Sequence, residues 1–312
     1  MKLTKTVLLL VCVSLMLFSV EPVLGWSNGG YSADPSQPDY GTHDWIAQHA
    51  LDFLPDNEKQ YITSNLAVYL YGTELPDLPA SQGGIGDTTK HHIYYYSNGS
   101  LQDDASAKRA AEEYQKALTY LKNGSYVDAT KEAGALTHYI ADMAVFGHVM
   151  GSATAWGTEV HHSDYENHVN SQTGAYESSL NVYLQFDGAL VNVSAYDAAL
   201  NLAYDTTFDN GTYDCSWMDA NYDWNNPTFS SRSSESLNLA VNAVADTLHT
   251  LYAEAFSDST PTTTPTHTTV STPTPTVPEF PALLTMSVVM ITLLIAVIVK
   301  KKINLKQPNQ LV

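Results

Sequence analysis

The sequence predicts an all-α fold, a single multi-helix domain set between two targeting segments. Three observations carry that expectation. Apolar residues recur at helical rather than alternating spacing, helix-stopping signals separate the runs, and the long uninterrupted apolar stretches sit at the two ends of the 312-residue chain.

At the amino end Lys2 and Lys5 precede an almost wholly apolar stretch over residues 6–20, and Val23-Leu24-Gly25 supplies a small-residue cleavage pattern. Residues 1–25 therefore read as a signal peptide, and the mature chain starts at Trp26. Thr42 can cap a first helix running to about Leu54, and Ser81 to Tyr96 reads as a long loop. Ser106 to Lys122 is a helix that ends at Asn123-Gly124, and a second, capped by Asp128, runs from Asp128 to Phe146; the two form an antiparallel hairpin. Ser233 to Phe256 is a long final helix, which closes a domain spanning residues 26–256.

Beyond it, residues 257–281 are dominated by Thr and Pro and cannot bury enough apolar area to fold, so they read as an extended stalk. Residues 282–299 carry no charge and are long enough to cross a thin bilayer. Lys300, Lys301, Lys302 and Lys306 place the basic tail, residues 300–312, on the cytoplasmic side. The domain is then expected on the extracellular face of the membrane, anchored by this C-terminal helix. Val277-Pro278-Glu279-Phe280-Pro281 also resembles the PEF-type sorting tails of archaeal surface proteins, which implies removal of the helix in favour of a lipid anchor.

Residues 26–256 hold eight Lys and Arg against thirty Asp and Glu, a net charge of −22. Such a balance argues against long nucleic acid as a partner, and bound divalent cations would offset it locally. Nothing in the sequence calls for a partner chain, and a monomer is expected. Cys12 leaves with the signal and Cys215 has no mate, so a disulfide framework is absent and a metal is the natural staple. Sequons at Asn98, Asn123, Asn192 and Asn210 suit an exported glycoprotein.

The chemistry lies in where His, Asp and Glu fall on these helices. His138 and Asp142 are four apart and share a helix face, as do His162 and Glu166; an imidazole and a carboxylate so placed can share an ion. His148 follows beyond a Phe146-Gly147 step expected to break or bend the helix. Upstream, His43 opens the first helix, Asp77 ends a loop, and His91 and His92 are adjacent. Trp26, once freed by cleavage, offers its α-amino group and carbonyl as a chelating pair.

In that order Trp26, His43, Asp77, His92, His138, Asp142, His148, His162 and Glu166 closely resemble the ligand set of the zinc-dependent phospholipase C family, within the phospholipase C and S1/P1 nuclease superfamily. The closely spaced steps His-x3-Asp-x5-His and His-x3-Glu are its most specific part, and the likeness runs from Trp26 to about Asn170. The resemblance implies a mostly α-helical domain with three zinc ions. One would take Asp77, His92 and His138, and a second the Trp26 amine and carbonyl with His43. Asp142 would bridge these two, and His148, His162 and Glu166 would hold the third. His92 is preferred to His91 because His-Ile-Tyr lines up with the family's His-aromatic-Tyr. His49, His161, His168 and His249 receive no role.

Clustered zinc suits a phosphodiester, whose negative charge repels hydroxide. It makes water nucleophilic near neutral pH and clamps phosphoryl oxygens. The expected activity is that of a phospholipase C, with water or hydroxide in the cluster attacking phosphorus, the glycerol-side P–O bond breaking, and Asp77 as the orienting or general-base carboxylate. The choline-specific members carry acidic and aromatic residues where this chain has Gly29, Leu78 and Thr89, so choline recognition by cation–π contact has no support. Two alternatives stand beside this reading. One is a single-strand nuclease or nucleotidase of S1/P1 type, which Glu166 and the long spacing from Trp26 to His43 disfavour. The other is a non-catalytic surface protein stabilised by zinc, which the loop carboxylate Asp77 disfavours.

Overall fold

The computed structural model describes Ser32 and residues 36–257. The signal peptide, Trp26, the rest of the stalk, the C-terminal apolar helix and the basic tail lie outside those residues. Among the described residues no helix is long and apolar enough to cross a membrane.

Ten α-helices are described: α1 Thr42–Ala50, α2 Asp56–Thr63, α3 Leu66–Glu74, α4 Ala105–Lys122, α5 Tyr126–Ala141, α6 Phe146–Val149, α7 His162–Gln172, α8 Ala195–Phe208, α9 Cys215–Ala220 and α10 Pro227–Phe256. A small antiparallel pair is formed by β1 Tyr94–Tyr95, at the end of the expected loop, and β2 Leu101–Asp103, just beyond it.

The expected hairpin is present as α4 and α5, and Gly124 at φ 75° takes the left-handed turn that ends α4. The start of α5 lies earlier than expected, after Ser125, which leaves Asp128 in its first turn rather than at its cap. Gly41, not Thr42, holds the cap position of α1, where Asp44 Oδ2 accepts the Gly41 N–H at 3.0 Å. The last helix also starts earlier than expected. Asn226 accepts the Thr228 N–H and Pro227 opens the first turn, a start signal of the kind proline favours. At 30 residues α10 is about 45 Å long, and it packs against α1, α4, α5 and α8.

The core is continuous through Trp45, Tyr69, Leu136, Tyr139, Tyr165 and Val241, all fully buried. Within it α3 crosses α5 at backbone distance. A Cβ on Gly72 would overlap the Lys131 carbonyl, and one on Gly134 the Tyr69 carbonyl. That close approach brings the end of α3, with Thr73 and the loop to Asp77, against His138 on α5. Cys215 is buried and unpaired, and burial pushes its thiol up to about 12, which leaves it unreactive.

Candidate metal centre

Helix α5 delivers His138 on its inner face, and a 3-10 turn over Asp142–Ala144 continues it. The break then falls at Val145, which is extended, rather than at the Phe146-Gly147 step. After that break α6 turns His148 back towards Asp142. Gly147 has a different duty: a Cβ there would overlap the His162 ring, so its hydrogen lets α7 bring that imidazole against α6. The start of α7 is fixed from outside by Asp219 of α9, whose carboxylate accepts the N–H groups of Val160 and His161 at 2.9 Å.

Asp142 is the hub. It is fully buried, with Oδ2 3.0 Å from His91 Nδ1 and 3.3 Å from His138 Nε2, while Oδ1 lies 3.3 Å from His43 Nε2 and 3.7 Å from His148 Nε2. Asp77 Oδ1 faces His91 Nδ1 at 3.4 Å and His138 Nε2 at 3.8 Å. Glu166 Oε1 lies 2.8 Å from His162 Nε2 and 3.2 Å from His148 Nε2. Three groups of buried donors result: His43, His138 and Asp142; Asp77, His91 and His138; His148, His162 and Glu166.

One predicted ligand, His92, lies outside the buried donor groups, and its neighbour His91 lies within one. His91, 3% exposed, points into the cluster, whereas His92 lies beside it, stacked on Tyr94 at 4.4 Å and 3.5 Å from Asp103. Adjacent side chains leave the backbone in different directions, so only one of the pair can enter. With His91 inside, the position three residues before it is Thr88 rather than Thr89, and it is still not aromatic.

The donor set fits zinc. Tetrahedral zinc with bonds of about 2.0–2.1 Å places its ligand atoms roughly 3.3 Å apart, and the separations above scatter around that value. Both carboxylate oxygens of Asp142, Asp77 Oδ1 and both ring nitrogens of His43 are buried without a hydrogen-bond partner among the described residues. Buried polar atoms are rarely left so, and a cation among them satisfies several at once.

Neighbouring groups present the lone pairs correctly. The Thr73 carbonyl accepts from His138 Nδ1–H at 2.7 Å, which leaves Nε2 for an ion, and the His91 carbonyl accepts from His148 Nδ1–H in the same way. His91 Nε2 faces Asp87 at 3.6 Å; Asp87 in turn accepts from Tyr139 at 2.7 Å and Arg109 at 2.6 Å. Burial lowers His43, and burial together with the stacked His43 ring 3.8 Å away lowers His138, so both favour the neutral, metal-binding form. Burial alone would also lower His91, but the carboxylates of Asp142, Asp87 and Asp77 beside it outweigh that and push His91 up to about 10. A metal ion would compete with a proton for that nitrogen.

The four histidines without a predicted role have structural partners. His49 bridges Asp52 and the Tyr176 carbonyl, His249 pairs with Glu58 at 2.6 Å, His161 stacks on Tyr222 and His168 on Trp224. Asp87, Asp219 and Thr73 were missed by the sequence reading. Thr73 acts through its backbone carbonyl, to which residue type gives no clue, and the two carboxylates act through contacts that only the fold creates.

These features define a buried cluster of His and carboxylate groups that could hold metal in a helical domain. The sequence matches the zinc-dependent phospholipase C family over residues 42–253, and the chain belongs to that family. No curated protein matches it in sequence. Among solved structures, alpha toxin from Clostridium absonum is 15% identical with a TM-score of 0.49, the match covering 72% of this chain and 66% of the toxin. Clostridium perfringens alpha-toxin from an avian strain is likewise 15% identical, with a TM-score of 0.46 and coverage of 72% and 65%. The chain thus spans just under two thirds of the length of these toxins.

Proposed function

We propose that the chain is a zinc-dependent phosphoric diester hydrolase of phospholipase C type, acting outside the cell and held there by its C-terminal segment. The observation that carries the reading is the convergence of buried donors on Asp142, one oxygen towards His91 and His138 and the other towards His43 and His148. In this reading Asp77, His91 and His138 would hold one zinc, and His43 with the Trp26 amine and carbonyl a second. Asp142 would be shared between these two, and His148, His162 and Glu166 would hold a third.

Zinc at these positions supplies Lewis acidity, which neutralises phosphoryl charge and makes water nucleophilic near neutral pH. The chain's own groups place the reactants. Asp77, whose proton affinity burial raises, orients the attacking water and takes its proton as the new P–O bond forms. The bond from phosphorus to the glycerol oxygen breaks, and the departing alkoxide takes a proton from water in the cleft. Thr73 and the His91 carbonyl hold the imidazoles His138 and His148 in register throughout.

The test is to prepare residues 26–256 with a native Trp26 amino terminus and measure zinc content beside activity on phospholipids, phosphodiester model compounds and single-stranded DNA. About three zincs per chain with release of phosphorylated headgroups is the expected result. Activity confined to DNA would assign the chain to the nuclease branch, and fewer than two zincs would rule out the trinuclear arrangement. If Asp77→Asn retained full activity with all zinc bound, the role given to Asp77 would be wrong.

A further inference from the structure

Beside the cluster lies a cavity of about 280 Å³, bounded on one side by His91, His148 and His162. Its other walls are mostly polar, with Thr88, His92, Tyr94, Ser152, Thr158 and Glu159, and Met150 is the apolar exception. A space of this size and polarity suits a headgroup and not acyl chains.

The walls discriminate among headgroups. No Lys or Arg lines the cavity, and Glu159 is the one carboxylate in its walls, so away from the histidine side, which would face the phosphate, an anionic headgroup finds no counter-charge. The aromatic wall is Tyr94, and its ring is stacked on the His92 imidazole at 4.4 Å and 20°. A single tyrosine does not make the aromatic cage that a quaternary ammonium needs. What the cavity offers in quantity is hydroxyl. Among the described residues Thr88, Tyr94, Ser152 and Thr158 make no side-chain hydrogen bond to another protein group, and Gly151 leaves room around the Tyr94 hydroxyl, which a Cβ there would meet at 3.0 Å. Hydroxyls both donate and accept, and the Glu159 carboxylate accepts. Such a set matches a ligand that is itself an array of hydroxyls. We propose that this cavity is the headgroup subsite and that it takes a neutral polyhydroxylated headgroup, glycerol-like or inositol-like.

This inference rests on the phosphodiesterase reading, and the experiment separates the two. The zinc-loaded domain is given short-chain phosphatidylglycerol, phosphatidylinositol, phosphatidylcholine, phosphatidylethanolamine and phosphatidylserine, with bis(p-nitrophenyl) phosphate as a diester that lacks a headgroup. Calorimetric binding of inositol 1-phosphate and phosphocholine runs in parallel. The expected result is kcat/KM for the polyol lipids at least about tenfold above choline, ethanolamine and serine, with inositol 1-phosphate the tighter ligand. The exposed pair Ser152→Ala and Thr158→Val should lower the ratio of polyol lipid to bis(p-nitrophenyl) phosphate hydrolysis by about tenfold. Preference for choline, ethanolamine or serine, or an unchanged ratio in the double variant, would overturn the subsite. Inactivity towards every diester in a zinc-loaded protein would overturn the phosphodiesterase reading, and the subsite with it.

Discussion

At the scale of single residues, the centre depends on groups that touch no substrate. Asp87 faces His91 Nε2 and is held by Arg109 and Tyr139, so it favours the tautomer in which His91 Nδ1 is free for an ion. Hydrogen bonds and the Arg109 charge overcome burial and hold its carboxyl down at about 2, so it is ionised at neutral pH. Asp87→Asn is expected to weaken zinc binding by about 10- to 100-fold, measured by competition with a chelating dye, while the helical content stays the same. An unchanged affinity would mean that Asp87 serves the fold alone. Of the predicted ligands within the described residues, His43, Asp77, His138, Asp142, His148, His162 and Glu166 all converge. Fixed spacing along one helix made the pairs His138 with Asp142 and His162 with Glu166 legible. The choice between His91 and His92 was not, because it depends on the rotation of a loop whose course is set by contacts with α6, among them the Ile93 N–H to the His148 carbonyl.

Among the elements, the existence of helices was easier to read than their ends. Alanine-rich runs and the Asn123-Gly124 stop defined α4, whereas the early start of α10 rested on Asn226-Pro227, a cap-and-proline signal lying ahead of the periodic apolar residues. The role of Gly147 could not be read at all, since the ring it admits arrives from α7. Gly147→Ala should therefore displace His162 and cost one zinc per chain, with the remaining ions retained; full zinc content in this variant would contradict the packing account. A second element-level device is Glu74 at the end of α3, whose carboxylate accepts the backbone N–H groups of Ser32 at 2.8 Å and Asp39 at 3.0 Å and so clasps the N-terminal segment. Burial pushes this carboxyl up to about 7. Because its folded pKa lies above the unfolded value of 4.5, the native state keeps a proton that the unfolded chain has lost. Its contribution is present below that unfolded value and is lost as the pH rises through about 7. Relative to Glu74→Gln, the wild-type protein should lose roughly 2 kcal/mol of stability between about pH 5 and about pH 8, measured by urea unfolding. A pH-independent difference between the two would show that Glu74 does not titrate in this window.

For the whole molecule, one cluster links helices that are distant in sequence. α1 brings His43, α5 His138, α6 His148 and α7 His162 and Glu166, while Asp77 and His91 come from the loops between. The absence of a disulfide made a metal staple the natural expectation, and the buried donors supply the place for one. The excess of carboxylates was legible from composition, but not which few of them lie inside. The most direct test of the account is anomalous X-ray scattering at the zinc edge from crystals of the zinc-loaded domain with its native Trp26 terminus. The account predicts three peaks, one in each donor group, with Asp142 between two of them and His91 rather than His92 as a ligand. A single peak, or peaks bound through His92 with His91 turned away, would contradict it.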